Sequence, residues 1–157
     1  MNIPRILPVL LFICMLAPSV FAQEKSIEDF SVNFGILSWE QIQKGLGEKP
    51  ATHTEEYHYK MAKEMAKMHK GGRRGTYHIL VVIDDKKTGK RVDKADVRVT
   101  FVGNLGPETV KLQPMTMNSF AGFGEFVRLG SAGPYVFNVS FRLSEQEPIK
   151  EARFVIQ

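Results

Sequence analysis

The sequence predicts a mainly β protein: an antiparallel sandwich preceded by two α-helices. Three observations carry that prediction. From residue 76 onward apolar residues recur with a period of two, in six short segments separated by turn signals. No segment with helical periodicity falls among those six, which argues against a βαβ arrangement around a parallel sheet. Ahead of residue 73 the pattern changes, and two segments carry the start and stop signals of helices.

Residues 1–22 have the pattern of a cleaved signal peptide. Arg5 precedes the apolar run from Ile6 to Leu16, and Val20 and Ala22 supply small residues at the −3 and −1 positions. Cleavage is expected between Ala22 and Gln23, with export to the periplasm. Cys14 follows the bulky Ile13, which argues against lipoprotein processing. The apolar run is too short to anchor the chain, and no later stretch would serve as a transmembrane anchor after cleavage. Cleavage removes the single cysteine, so neither a disulfide nor a thiolate ligand is expected afterwards. The remaining ~135 residues suit one domain with one core.

Residues 23–53 read as an extended lead-in, a short helix and a linker. Ser38 with Gln41 forms a capping-box pattern, Trp39, Ile42 and Leu46 share an apolar side, and Gly45 and Gly47 end the helix. Residues 54–72 read as a second helix. Thr52 with Glu55 caps its start, Glu55 and Glu56 complement its dipole, and Gly71 and Gly72 stop it. At about 100° per residue, His58, Met61, Ala62, Met65, Met68 and His69 share an arc of roughly 120°. Lys60, Lys63, Lys67 and Lys70 occupy the other side.

Residues 73–157 read as the sandwich. Its first strand covers Tyr77 to Ile83, with a turn from Asp84 to Gly89. Val97, Val99 and Phe101 alternate with Asp96, Arg98 and Thr100 in the next. Val110 and Leu112 lead into Pro114, Met115, Thr116 and Met117. A loop containing glycine and phenylalanine precedes the segment from Gly124 to Leu129. Tyr135 to Leu143 alternates cleanly, and Ala152 to Ile156 closes the chain.

These strands resemble the YtkA-like and FixH-like family of small exported immunoglobulin-like domains. The likeness rests on Gly75 to Ile83, Thr88 to Val92, Ala95 to Val99, Pro114 to Met117, Gly124 to Val127 and Gly133 to Val139. It covers about residues 75–143 and implies an immunoglobulin-like sandwich with a role in metal handling or metalloenzyme assembly, and no catalytic residues. The family's His-Tyr-Gly ahead of the fourth strand reads Gly122, Phe123, Gly124 here, so no ligand set is carried over at that loop.

Beyond residue 22 every methionine and histidine falls in two stretches. One holds His53, His58, Met61, Met65, Met68, His69 and His78; the other holds Met115 and Met117. Thioethers need no deprotonation and with imidazole favour soft ions such as Cu(I), which makes copper the expected cofactor. Met61, Met65 and Met68 at i, i+4 and i+7 would converge, with His58 or His69 adding a nitrogen. Strand alternation puts Met115 and Met117 on one face about 7 Å apart. If that face meets the helix, the two groups close one site. A plainer reading fits the same residues, because methionine also fills irregular gaps in a core. His78 shares a strand face with Leu80 and Val82 and reads as a satisfied core or surface residue.

The sequence contains no Gly-x-Ser-x-Gly, His-Glu-x-x-His or phosphate-cradling glycine loop, so no enzymatic activity is expected. A net charge of +4 points to no nucleic acid. The basic run Lys67 to Arg74 suits an anionic group or simply the C-terminal end of a helix dipole. The expected partners are therefore a metal ion or another periplasmic protein. The leading expectation is a periplasmic metal-binding accessory or carrier for Cu(I). The alternative is a non-enzymatic interaction or envelope-assembly module with a Met-rich helix face.

Overall fold

Two antiparallel sheets face each other across a shared layer of phenylalanines and branched aliphatic residues. The computed structural model describes residues 21–45, 73–103, 105–117, 120–130 and 133–156. In chain order the elements are β1 (Phe21–Ile27), β2 (Phe30–Ser38), α1 (Trp39–Gly45), β3 (Tyr77–Asp85), β4 (Lys90–Arg91) and β5 (Asp96–Gly103). They continue with β6 (Gly106–Lys111), β7 (Gln113–Met117), β8 (Phe120–Val127), β9 (Tyr135–Arg142) and β10 (Lys150–Ile156). The first sheet runs β1-β2-β3-β8-β7, with β4 paired to β3, and the second runs β10-β9-β5-β6.

Alternation decides which side chains enter the core. In β2 the residues Phe30, Val32, Phe34 and Ile36 point between the sheets, as do Ile79, Val81 and Ile83 of β3. They meet Val97, Val99 and Phe101 of β5, Phe137, Val139 and Phe141 of β9, and Ala152, Phe154 and Ile156 of β10. Phe34 lies 4.8 Å from Phe137 and 5.0 Å from Phe154, and Phe30 meets Phe141 edge-on at 5.5 Å. Each such ring contributes about 1.5–3 kcal/mol by leaving water, and its neighbours add packing contacts.

Four parts of the sequence reading change. Residues 23–37, read as a lead-in, lie in β1 and β2, the hairpin at one end of the first sheet. Of the two helices expected ahead of the sandwich, the first forms at the residues read for it but does not precede the strands. The described helix, α1, instead sits between β2 and β3, and the second predicted helix, 54–72, lies outside the described residues. Val110 to Met117 does not form one strand. β6 belongs to the second sheet and β7 to the first, and the chain changes sheet at the buried Leu112, whose N–H donates to Val97 O at 2.9 Å. Finally, Gly122 and Phe123 are not in a loop but inside β8.

The Ser38 and Gln41 capping box forms as read. Ser38 N donates to Gln41 Oε1 at 2.7 Å, and Gln41 N donates to Ser38 Oγ at 3.0 Å. A second tie fixes α1 to the approach of β3. Trp39 N donates to Thr76 O at 2.9 Å, and Gly75 N donates to Glu40 Oε1 at 3.2 Å. Glu40's own backbone N–H, and then that of Gly75, hold its carboxyl below the usual carboxylate range.

Candidate metal site

β3 is buried on both faces, with His78, Leu80 and Val82 as enclosed as the core-facing Ile79, Val81 and Ile83. The face of the first sheet turned away from the second is therefore an interior too. Gly35, Leu37, His78, Leu80, Val82, Met115, Gly122 and Gly124 are all buried on it. α1 covers one part, where Leu37 and Ile42 pack with Phe126.

β8 is the floor of the candidate site. Phe123 fills the core with no exposure, so Gly122 and Gly124 both fall on the outer face and leave it bare. β3 flanks this strip on one side and β7 on the other. The register pairs His78 with Phe126, Leu80 with Gly124, and Met115 with Gly122. His78 and Met115 thus stand diagonally on either side of Gly124, on strands that do not pair with each other.

Across that bare backbone their side chains meet. A methyl group on the Gly124 Cα would lie 2.6 Å from Met115 Sδ and 2.8 Å from His78 Nε2. Both residues are almost fully enclosed, His78 at 1% exposure and Met115 at 2%. The Phe126 ring stands edge-on to the imidazole at 5.0 Å, and Trp39 of α1 stands edge-on to Phe126 at 5.9 Å. A glycine inside a strand costs roughly 0.5–1 kcal/mol relative to alanine. Close approach of neighbouring side chains to the backbone is a physical reason to retain one here.

A thioether sulfur and an imidazole nitrogen converge here in an enclosed space. They suit a soft monovalent ion, which tolerates few ligands and sheds its water. Among the described residues no group of three or more His, Cys, Asp or Glu side chains forms a harder cage. Sulfur and imidazole donors of this kind suit soft ions, whereas hard divalent ions prefer oxygen.

Of the residues singled out by sequence, Met115 lies in this space. Met117 stands two residues further along β7, opposite Phe120 in the pairing. Met61, Met65, Met68, His58 and His69 lie outside the described residues. His78, expected as a satisfied core or surface residue, is a buried one, and its Nε2 lies beside Met115 Sδ. Its alternation with Ile79 placed it on the correct face, but only the antiparallel pairing of β8 between β3 and β7 brings sulfur and nitrogen together.

No protein-family model and no curated protein matches the chain. Among solved structures, a DUF4426 family protein from Pseudomonas aeruginosa PAO1 aligns with a TM-score of 0.54 at 17% identity, over 85% of this chain and 91% of that one. FetP from uropathogenic Escherichia coli strain F11, expressed in the periplasm, aligns at 0.55 and 9% identity, over 87% and 93%. A copper-bound variant of FetP aligns at 0.51 and 9%, over 85% and 93%. What the chain shares with them is the fold. The expectation of a small β-sandwich is met; the likeness to the YtkA-like and FixH-like family in particular rests on the sequence motifs.

Proposed function

We propose that this protein is a periplasmic metal-binding accessory or carrier whose cargo is Cu(I). The observation that carries the reading is the convergence of His78 Nε2 and Met115 Sδ over Gly124, inside a buried face of the sheet. Three further points support it. The signal-peptide pattern of residues 1–22 directs the chain to the compartment in which FetP was expressed. A copper-bound protein shares the fold. The YtkA-like and FixH-like resemblance points to metal handling as well.

A bound Cu(I) ion would be held and shielded rather than used for catalysis. His78 and Met115 supply two donors, and Met117 with Met61, Met65, Met68, His58 and His69 form the pool from which further donors come. Phe126 and Trp39 extend an aromatic contact from the imidazole to α1, so the single tryptophan reports on the site.

Titration of the signal-cleaved protein against a chromophoric Cu(I) chelator tests this, with Trp39 fluorescence followed in parallel. We expect affinity tighter than about micromolar, near −8 kcal/mol, with quenching of the tryptophan. His78→Ala and Met115→Leu should each weaken binding by about 100-fold or more, beyond the 10–100-fold cost of losing a group that merely orients a ligand. Replacing Met61, Met65 and Met68 by leucine measures what that stretch adds. Binding weaker than micromolar, or unaffected by His78→Ala and Met115→Leu, overturns the reading and leaves a non-enzymatic periplasmic interaction or envelope-assembly module.

A further inference from the structure

Gly124 touches the candidate site without offering a ligand, and its neighbour Gly122 provides a built-in comparison. Both lie on the same face of β8, two residues apart, with only Phe123 between them. Their surroundings differ in kind. A methyl group on Gly122 would meet Leu80 Cδ1 and the Val81 carbonyl oxygen at 3.3 Å and Val82 Cγ2 at 3.4 Å, a tight contact but not an overlap. A methyl group on Gly124 would meet Met115 Sδ at 2.6 Å, His78 Nε2 at 2.8 Å and His78 Cε1 at 3.0 Å, closer than real carbon atoms approach such neighbours.

We infer that Gly124 is the positioning residue of the site: its missing side chain lets one imidazole nitrogen and one thioether sulfur close in over the same backbone, near enough to share one ion. The inference rests on the Cu(I)-binding reading proposed above. Its physical basis is simple. His78 and Met115 project from strands separated by β8, and each is a diagonal neighbour of Gly124, within reach of a long side chain. A β-carbon on the middle strand would clash with both donor atoms. Gly124→Ala therefore leaves both ligands in the sequence and pushes them apart. It acts on metal affinity through geometry, as groups that orient metal ligands do.

The test compares Gly124→Ala and Gly122→Ala with the unaltered protein in Cu(I) competition and Trp39 quenching, with the thermal midpoint of each metal-free protein measured alongside. Gly124→Ala should lose about 10- to 100-fold in Cu(I) affinity, while Gly122→Ala keeps the original affinity. X-ray absorption on the Cu(I)-loaded unaltered protein gives a second readout that needs no variant, and mixed nitrogen and sulfur scattering is expected. Equal affinity for Gly124→Ala and the unaltered protein overturns the role of Gly124. So does equal weakening by both alanine variants, or a metal shell with nitrogen or sulfur missing. Failure of the unaltered protein to bind Cu(I) at all is a different result and sinks the functional reading itself.

Discussion

Asp96 illustrates how single residues on the solvent face of the second sheet are tuned. Arg98 and Lys111 each reach its carboxylate at 3.3 Å and Arg142 reaches it at 3.5 Å. Desolvation works to raise its pKa, but the hydrogen bonds and charges of Arg98 and Lys111 outweigh that and hold it below the ordinary aspartate value. A carboxyl depressed in the folded state stabilises the protein above its unfolded pKa and loses that contribution as pH falls through the folded value. Asp96→Asn should therefore lower the thermal midpoint at neutral pH, with the gap to the unaltered protein closing as pH is taken below the ordinary aspartate range. A gap that stays constant down to strongly acid pH would contradict this. High salt should narrow the gap at neutral pH, because these partners are partly exposed.

At the scale of the element, α1 and β8 make contrasting cases. The seven residues of α1 are too few to hold a helix by hydrogen bonds alone, so capping and docking matter. Ser38→Ala removes the oxygen that accepts from Gln41 N and should cost about 0.5–2 kcal/mol, read by chemical denaturation with Trp39 fluorescence as the local probe. That cap was legible as Ser-x-x-Gln because both partners are three residues apart. β2 was legible in principle as well. Phe30, Val32, Phe34 and Ile36 alternate with Ser31, Asn33 and Gly35, but the polar residues of β1 just before them blur the period across a wider window. β8 was harder, since Gly122 and Gly124 carry the composition of a turn. Only pairing on both sides, with β3 and β7, makes that stretch a strand.

At the scale of the whole molecule, stability concentrates where the two sheets meet. Phe34 is fully buried and touches rings from β9 and β10. Phe34→Ala should destabilise the fold by about 3–5 kcal/mol, seen as a lower denaturation midpoint. A loss below about 1 kcal/mol would mean the core repacks far more freely than its ring contacts suggest. Gln23 Nε2 donates to Val155 O at 2.7 Å, so β1 also ties the first sheet to the last strand of the second.

Local sequence settled what local physics controls. It determined the mainly β class, the positions of β3, β5, β9 and β10, the cap of α1, the signal-peptide pattern and the candidacy of Met115, because period, caps and turns depend on residues a few positions apart. Tertiary structure decided the order of strands, the change of sheet at Leu112, the enclosure of the outer face of the first sheet and the meeting of His78 with Met115. Those two residues are separated by β4, β5 and β6 along the chain and approach each other only across β8. Their approach follows from which strands pair and in what register, and the core as a whole selects that pairing.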